Sequence, residues 1–145
     1  MPDFQGIWPK LERLWEDRER LESYRQLTRE EFLSDPTIQG ATCYLFLTAI
    51  QGCIDIGAQL IATLGLRKPV DSADVFTVLR EEGILSQDLT QRLMAMVRFR
   101  NILVHKYRLV DLDKVYDNLQ DDLGDFDQFA GQVVTFIEQQ EKGQL

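Results

Sequence analysis

The sequence predicts an all-α protein, built as an antiparallel bundle of about five helices. Apolar residues recur at helical spacing over most of the 145 residues. Residues typical of helix starts and stops divide the chain into segments joined by short loops. The four prolines lie at positions 2, 9, 36 and 69, so none interrupts a helix in the second half. No segment alternates like a convincing strand, and we expect residues 1–145 to form a single domain.

The first helix is predicted from Trp8 to Leu27. Its inward face consists of Leu11, Leu14, Trp15, Leu21 and Tyr24. Thr28 followed by Glu31 has the spacing of a capping box, which predicts a short helical turn ending near Ser34.

The longest helix is predicted to begin with Asp35 as its cap and Pro36 in its first turn. It runs to Leu64, with Gly65 as its stop. Apolar residues occupy nearly every side of this segment, which is typical of a helix buried at the centre of a bundle.

A transmembrane interpretation of residues 43–64 is the alternative, since that length is sufficient to span a bilayer. Asp55 lies at its middle and would cost about 2.5–3.5 kcal/mol on insertion. The first residues lack the pattern of a secretory signal, so we expect a cytoplasmic protein without a membrane partner. Cys43 and Cys53 would lie about 15 Å apart on one helix, too far for a disulfide.

Three further helices are expected. Ser72 is predicted to cap a helix from Ala73 to Glu82, which Gly83 ends. Ser86 caps the next helix, whose apolar residues are Leu89, Leu93, Met96, Val97 and Phe99.

The last helix follows Val110 and is opened by Asp111 or Asp113, with a bend expected near Gly124. Its inward residues are Val115, Leu119, Phe126, Phe129, Val133, Phe136 and Ile137.

The charge of the chain is unevenly distributed. A formal net charge of −8 should repel nucleic acid from the protein as a whole. Residues 89–110, however, contain no Asp or Glu. Their five cations are Arg92, Arg98, Arg100, Lys106 and Arg108. This segment is therefore a candidate basic site in an acidic protein.

The only histidine of the chain, His105, lies within this basic segment, in the sequence RNILVHKY of residues 100–107. This sequence resembles the Arg-x4-His-x-Tyr pattern of HepT-like HEPN proteins, including the Asn that often follows the Arg. The resemblance is strong over residues 45–116 and weak at both ends of the chain, and it departs at Gln59, where many relatives have a histidine.

The resemblance implies a HEPN-like bundle that forms a symmetric homodimer and acts as the ribonuclease toxin of a toxin–antitoxin pair. Such toxins cleave RNA without a metal, and we expect no cofactor. Arg100, Asn101 and His105 would be the catalytic residues. Because one imidazole cannot easily be base and acid at once, a second chain would supply another. A minimal nucleotidyltransferase antitoxin would transfer AMP to Tyr107.

Supporting roles are expected for Arg98, Lys106 and Arg108 in RNA binding, and for Asp55 in pairing with Arg98 or Arg100. Asn101 precedes His105 by four residues, so on a helix its amide could orient the imidazole or the ribose. Arg100 and His105, five residues apart, would lie about 140° apart around an ideal helix. A single groove then requires a distorted helix end or a second chain.

Purely structural interpretations remain open. His105 and the neighbouring cations could compensate the dipole of a helix end, and Tyr107 could pack on the last helix. Two other functions are also open: a non-catalytic module that binds and is modified by a nucleotidyltransferase, and a dimeric helical scaffold without nucleotide chemistry.

Overall fold

The structure, a computed structural model, describes residues 2–143. Over this range the chain forms seven α-helices, one 3-10 turn and no strand, so the all-α prediction is confirmed. The α-helices are α1 (Ile7–Arg25), α2 (Arg29–Leu33), α3 (Pro36–Leu64), α4 (Asp74–Glu81), α5 (Gln87–His105), α6 (Leu112–Asp121) and α7 (Leu123–Gly143). The 3-10 turn, Tyr107–Leu109, connects α5 to α6.

The predicted helix signals at the start of the chain are confirmed. The capping box of α2 is complete, since the Thr28 hydroxyl accepts from the Glu31 N–H and the Glu31 carboxylate accepts from the Thr28 N–H. Asp35 caps α3 ahead of Pro36. Gly65 ends α3 in the left-handed conformation, with φ of 65°, which a glycine adopts without steric cost.

The first helix differs in detail from its prediction, since α1 begins one residue earlier and ends two residues earlier than the predicted range Trp8–Leu27. The prediction that Trp15 faces the core is wrong, because 56% of this residue is exposed. Its ring lies instead beside the Arg18 guanidinium, at 5.8 Å. Three leucines of α1 fill the inward face without it: Leu11, Leu14 and Leu21.

The last predicted helix is in fact two helices. Asp111 caps α6, as one of the two predicted starts. The chain changes direction at Asp122, which confirms the bend predicted near Gly124: the Asp122 N–H still bonds the Asn118 carbonyl, and the Asp125 N–H then bonds the Asp122 carbonyl. This break lets the inward residues of both helices reach the core.

The longest helix, α3, lies at the centre and packs against the other helices of the bundle. It is the one helix within residues 2–143 that is long and apolar enough to cross a membrane. In its most apolar stretch, 56% of the residues are buried inside the protein. Core helices commonly share this composition, so the finding is weak evidence for a membrane segment.

One buried cluster of apolar side chains runs from Phe4 to Ile137, so helices from both ends of the chain share a core. Edge-to-face contacts join Phe46 to Phe99 and Phe76 to Phe129. That residues 1–145 form a single domain stays a prediction.

A glycine allows α4 to approach α3 closely. A Cβ atom at Gly57 would lie 2.5 Å from Cγ1 of Val75, closer than such atoms approach in proteins. Val75 is buried and β-branched, so its side chain has little freedom to move away. Gly57 therefore sets the position of α4 and of the loop that precedes it.

Replacing Gly57 with alanine should destabilise the protein by about 1–3 kcal/mol, because α4 must shift away from α3. The matched control is Gly52→Ala in the same helix, where a Cβ atom meets nothing within 4 Å. That variant should be more stable than the wild type by about 0.5–1 kcal/mol. Urea unfolding measures both, and equal stability of the two variants would contradict the packing described.

Candidate active site

The last two turns of α5 carry most of the candidate site. Ser86 caps this helix as predicted, accepting from the Leu89 N–H at 3.2 Å. The helix continues to His105 and ends because Lys106 leaves the helical conformation, with φ of −135° and ψ of 40°. Arg100 and His105 are thus both on regular helix, and the angle of about 140° between them is retained.

Arg100 is half-buried and is held by two neutral groups. Its Nη1 donates to Oδ1 of Asn101 at 2.9 Å, and its Nη2 donates to Oγ of Ser72 at 3.1 Å. Its Nε is buried and, within the described chain, has no hydrogen-bond partner. No salt bridge involving Arg100 is found among residues 2–143, so no carboxylate there lies within 4 Å of its guanidinium nitrogens.

Five other arginines of the described chain are arranged differently, since each lies within 4 Å of a carboxylate. They are Arg18, Arg25, Arg29, Arg67 and Arg92. A guanidinium paired in this way has less attraction left for an incoming phosphate. Arg100 is therefore better suited than these to bind an anion.

Asn101 and His105 lie four residues apart on the exposed side of α5. The Asn101 side-chain oxygen is occupied by Arg100, so the contact that the structure shows for this amide is with the arginine and not with the imidazole. Its NH₂ group stays available to a ligand. The proposed orientation of His105 by Asn101 stays a prediction.

Tyr107 opens the 3-10 turn directly after the helix, and 63% of this residue is exposed. Lys106 and Arg108 on either side are also exposed, and neither forms a salt bridge within the part of the chain that the structure describes. The phenol is thus accessible to a modifying enzyme, in a setting that attracts anions.

Arg92 does not contribute to the basic site. Its guanidinium pairs with Asp88 on its own helix, with Asp125 of α7 at 2.8 Å, and with the Gln128 amide at 2.6 Å. The acid-free segment in the sequence is therefore not acid-free in space, because α7 supplies a carboxylate. The pKa of this guanidinium is raised mainly by the Asp125 hydrogen bond.

Arg98 is exposed and lines a cavity of about 400 Å³ between α5 and α6. Lys114 and Asp122 lie on the opposite side of this cavity. Burial raises the pKa of Asp122, and the nearby carboxylates of Asp125 and Asp121 raise it further. Arg98 thus lies beside the site, in mixed electrostatic surroundings.

The expected pairing of Asp55 with Arg98 or Arg100 is wrong. The Asp55 carboxylate is exposed, accepts from Nε2 of Gln51 at 2.9 Å, and lines a groove between α1 and α3. The pairing fails because Arg100 points to Ser72, in the loop before α4. Asp55 is therefore not part of the site that this chain forms alone.

Ser72 was expected to cap α4, and this prediction is also wrong. The residue at the cap position is Ala73, and the Asp74 N–H donates to Oδ1 of Asp71 at 2.8 Å. The Ser72 hydroxyl is consequently free to hold Arg100. A contact across 28 residues leaves no signal in the local sequence, and this residue was missed as a member of the site.

The loop that carries Ser72 is fixed at its two ends by one arginine. Arg67 donates to both oxygens of Asp74, at 2.7 and 3.0 Å, and to both oxygens of Glu81. The hydrogen bonds from Arg67 lower the pKa of Asp74 and of Glu81. This ionic cluster ties residues 67–74 to α4.

Comparison with known proteins gives consistent results. Residues 15–133 match the family model described as Ribonuclease HepT-like. The mRNA nuclease HepT of Shewanella oneidensis is 35% identical over 99 residues, which are 68% of this chain and 74% of that protein. The tRNA nuclease HepT of Aphanizomenon flos-aquae is 23% identical over 131 residues, 90% of this chain and 89% of that protein.

The fold of this chain is also similar, over nearly its whole length, to that of a solved protein structure. It is the tri-AMPylated HEPN toxin of Shewanella oneidensis in complex with MNT antitoxin. The TM-score is 0.83 at 30% identity, and the match covers 93% of this chain and 99% of that one.

The ionic cluster around Arg67 should make the protein less stable in acid. Because the folded-state pKa values of Asp74 and Glu81 are lowered, their stabilisation is present above the unfolded values and is lost as the pH falls through the folded ones. We expect Arg67→Gln to reduce the decrease in melting temperature between about pH 5 and pH 3. The control is Lys68→Gln on the same loop. If the melting temperature of the Arg67 variant fell with pH as steeply as that of the wild type, the role of the cluster would be contradicted.

Proposed function

Because the chain belongs to the ribonuclease HepT-like family, we propose that it is the RNA-cleaving toxin of a toxin–antitoxin pair. Its antitoxin is a minimal nucleotidyltransferase. The relatives named as RNA nucleases and the toxin bound to MNT antitoxin support this assignment. The observation that carries it is the Arg100 guanidinium, which among residues 2–143 has only neutral partners, one of them the exposed Asn101, and shares its helix with the exposed His105.

The proposed reaction uses the RNA itself as the nucleophile. The ribose 2′-hydroxyl attacks the adjacent phosphorus, and the bond from phosphorus to the 5′-oxygen of the next nucleotide breaks. One imidazole removes the 2′-hydroxyl proton, and another protonates the leaving oxygen. Arg100 stabilises the negative charge that builds on the phosphoryl oxygens, and Asn101 helps to place the substrate. The proton transfers require no metal ion.

A second chain completes this site. Each chain has one histidine, and α5 carries Arg100 and His105 on different sides of a regular helix. An isologous dimer supplies two copies of both groups to a shared groove. The end of α5 also exposes apolar residues on two sides, with Ile102 41% and Val104 46% exposed in the single chain, so a partner chain packed against this helix end would cover apolar surface.

Three exposed cations would hold the RNA backbone on either side of the scissile phosphate: Arg98, Lys106 and Arg108. They have no role in the proton transfers. Their charge offsets the repulsion expected from an acidic protein, because it is concentrated where the substrate binds.

Tyr107 is the proposed AMP acceptor. Its hydroxyl attacks the α-phosphorus of ATP on the nucleotidyltransferase and releases pyrophosphate. The exposure of Tyr107 and its two cationic neighbours supports this role. Each AMP adds bulk and negative charge two residues after His105, which would exclude RNA by repulsion and by steric hindrance.

We place the protein in the cytoplasm, where both its RNA substrate and the ATP for its modification are available. The packing of α3 among the other helices supports a core role for this apolar segment.

The purified protein should cleave single-stranded RNA in the presence of EDTA, and His105→Ala should reduce the rate by about 100-fold or more, because a general acid and base is lost. The control is Gln91→Ala, an exposed residue of the same helix. Cleavage that depends on an added divalent cation would contradict the metal-independent reaction. Equal rates for His105→Ala and the wild type would contradict the assignment of the site.

Incubation with the cognate nucleotidyltransferase and ATP should add AMP to the peptide that contains Tyr107, as measured by mass spectrometry. Tyr107→Phe should remove the modification, because the accepting hydroxyl is lost. Tyr44→Phe is the matched control, since Tyr44 is exposed to the same degree, 64% against 63%, and lies on another helix. If the Tyr107→Phe variant still received AMP on this peptide, the assignment of Tyr107 as the acceptor would be wrong.

The exposure of Tyr107 also favours a second function, that of a non-catalytic module which binds the nucleotidyltransferase and accepts AMP. The same two assays separate the functions. Modification at Tyr107 without RNA cleavage would support the module. Absence of both reactions would leave a helical scaffold.

A further inference from the structure

Ser72 is the one residue outside α5 whose side chain holds Arg100 in the described part of the chain. It lies in the loop between α3 and α4, is half-buried, and accepts from Nη2 of Arg100 at 3.1 Å.

The position of this hydroxyl is determined by the rest of the fold. Asp71 performs the capping of α4, so the Ser72 side chain is not needed there. Arg67 binds Asp74 and Glu81 and thereby fixes the loop. The close packing of Gly57 on Val75 fixes α4 itself. The hydroxyl is thus a rigid point against which a flexible side chain can be held.

The chemistry of the contact matters as much as its position. A carboxylate at this place would neutralise Arg100, as Asp125 does for Arg92. A hydroxyl satisfies one N–H group and leaves the positive charge intact. The Asn101 oxygen acts in the same way on Nη1.

A count of donors shows what remains for a ligand. A guanidinium has five N–H groups. In Arg100 one is given to Ser72, one to Asn101, and the one on Nε is buried with no partner in the range 2–143. Two N–H groups, one on each terminal nitrogen, are left to bind two oxygens of a phosphate.

We propose that Ser72 is a positioning residue for RNA cleavage, whose hydroxyl holds the Arg100 guanidinium in the orientation that meets the scissile phosphate without neutralising it. This inference rests on the ribonuclease function proposed above. It assigns to the α3–α4 loop a part in catalysis, although this loop lies outside the Arg100–Tyr107 motif.

The test compares single-turnover cleavage by the wild type, Ser72→Ala and Ser72→Thr. Loss of the hydroxyl should lower the rate at saturating RNA about tenfold, because the guanidinium is no longer held at the transition state. The RNA concentration at half-maximal rate should change less than about threefold, since charge attraction is retained. Threonine keeps the hydroxyl and should restore the rate to within about threefold of the wild type.

Two controls separate positioning from general stability. Ser23→Ala removes a serine side-chain hydrogen bond on α1 and should leave the rate unchanged. In an Arg100→Lys background, Ser72→Ala should change the rate less than about twofold, because Ser72 acts through the guanidinium that is no longer there. The melting temperatures of all variants are measured in parallel.

A wild-type rate for Ser72→Ala, an equal loss in the alanine and threonine variants, or the same loss in the Arg100→Lys background would overturn the inference while leaving the ribonuclease function in place. Absence of cleavage by the wild type would overturn the proposed function, and the inference with it. If the Ser72→Ala variant does not fold, the Ser72→Thr variant provides the test. A Ser72→Thr protein that is as stable as the wild type but cleaves RNA ten times more slowly would also overturn the positioning role of Ser72.

Discussion

The regular helix of α5 up to His105 is the constraint on which the account of this site depends. It holds Arg100 against the loop before α4 and leaves Asn101 and His105 on a side that faces solvent. A histidine and an arginine about 140° apart on one helix cannot easily meet on a single phosphate group. The fold of one chain therefore supplies the parts of a site, and the proposed dimer brings them together. The exposed apolar residues Ile102 and Val104, on two sides of the same helix end, are surface that a partner chain would cover.

The treatment of charge follows the same division between structural and functional residues. Arg18, Arg67 and Arg92 join helices or loops through carboxylates, which satisfies their donors and neutralises their charge. Arg100 is held by a hydroxyl and an amide instead, which fix its position but leave the charge intact. An acidic protein can thus keep one local site for an anion, provided that the cations of that site are held by neutral groups.

Features fixed by neighbours in the sequence could be predicted from it. The capping box at Thr28, the stop at Gly65 and the cap at Ser86 each depend on residues within a few positions, and all were confirmed. Features that depend on contacts between helices could not. The neutralisation of Arg92 by Asp125 and the anchoring of Arg100 by Ser72 join residues 33 and 28 positions apart. The candidate motif was therefore visible in the sequence, but the environment of its arginine was not.

The most direct test of the composite site is a titration of wild-type subunits with His105→Ala subunits. The two are refolded together at constant total concentration, and the rate of RNA cleavage is measured against the wild-type fraction. If both imidazoles act on one phosphate, mixed dimers are inactive and the rate follows the square of that fraction, giving about one quarter at an equal mixture. A rate that falls linearly, to about one half, would show that a single histidine suffices and would contradict the account.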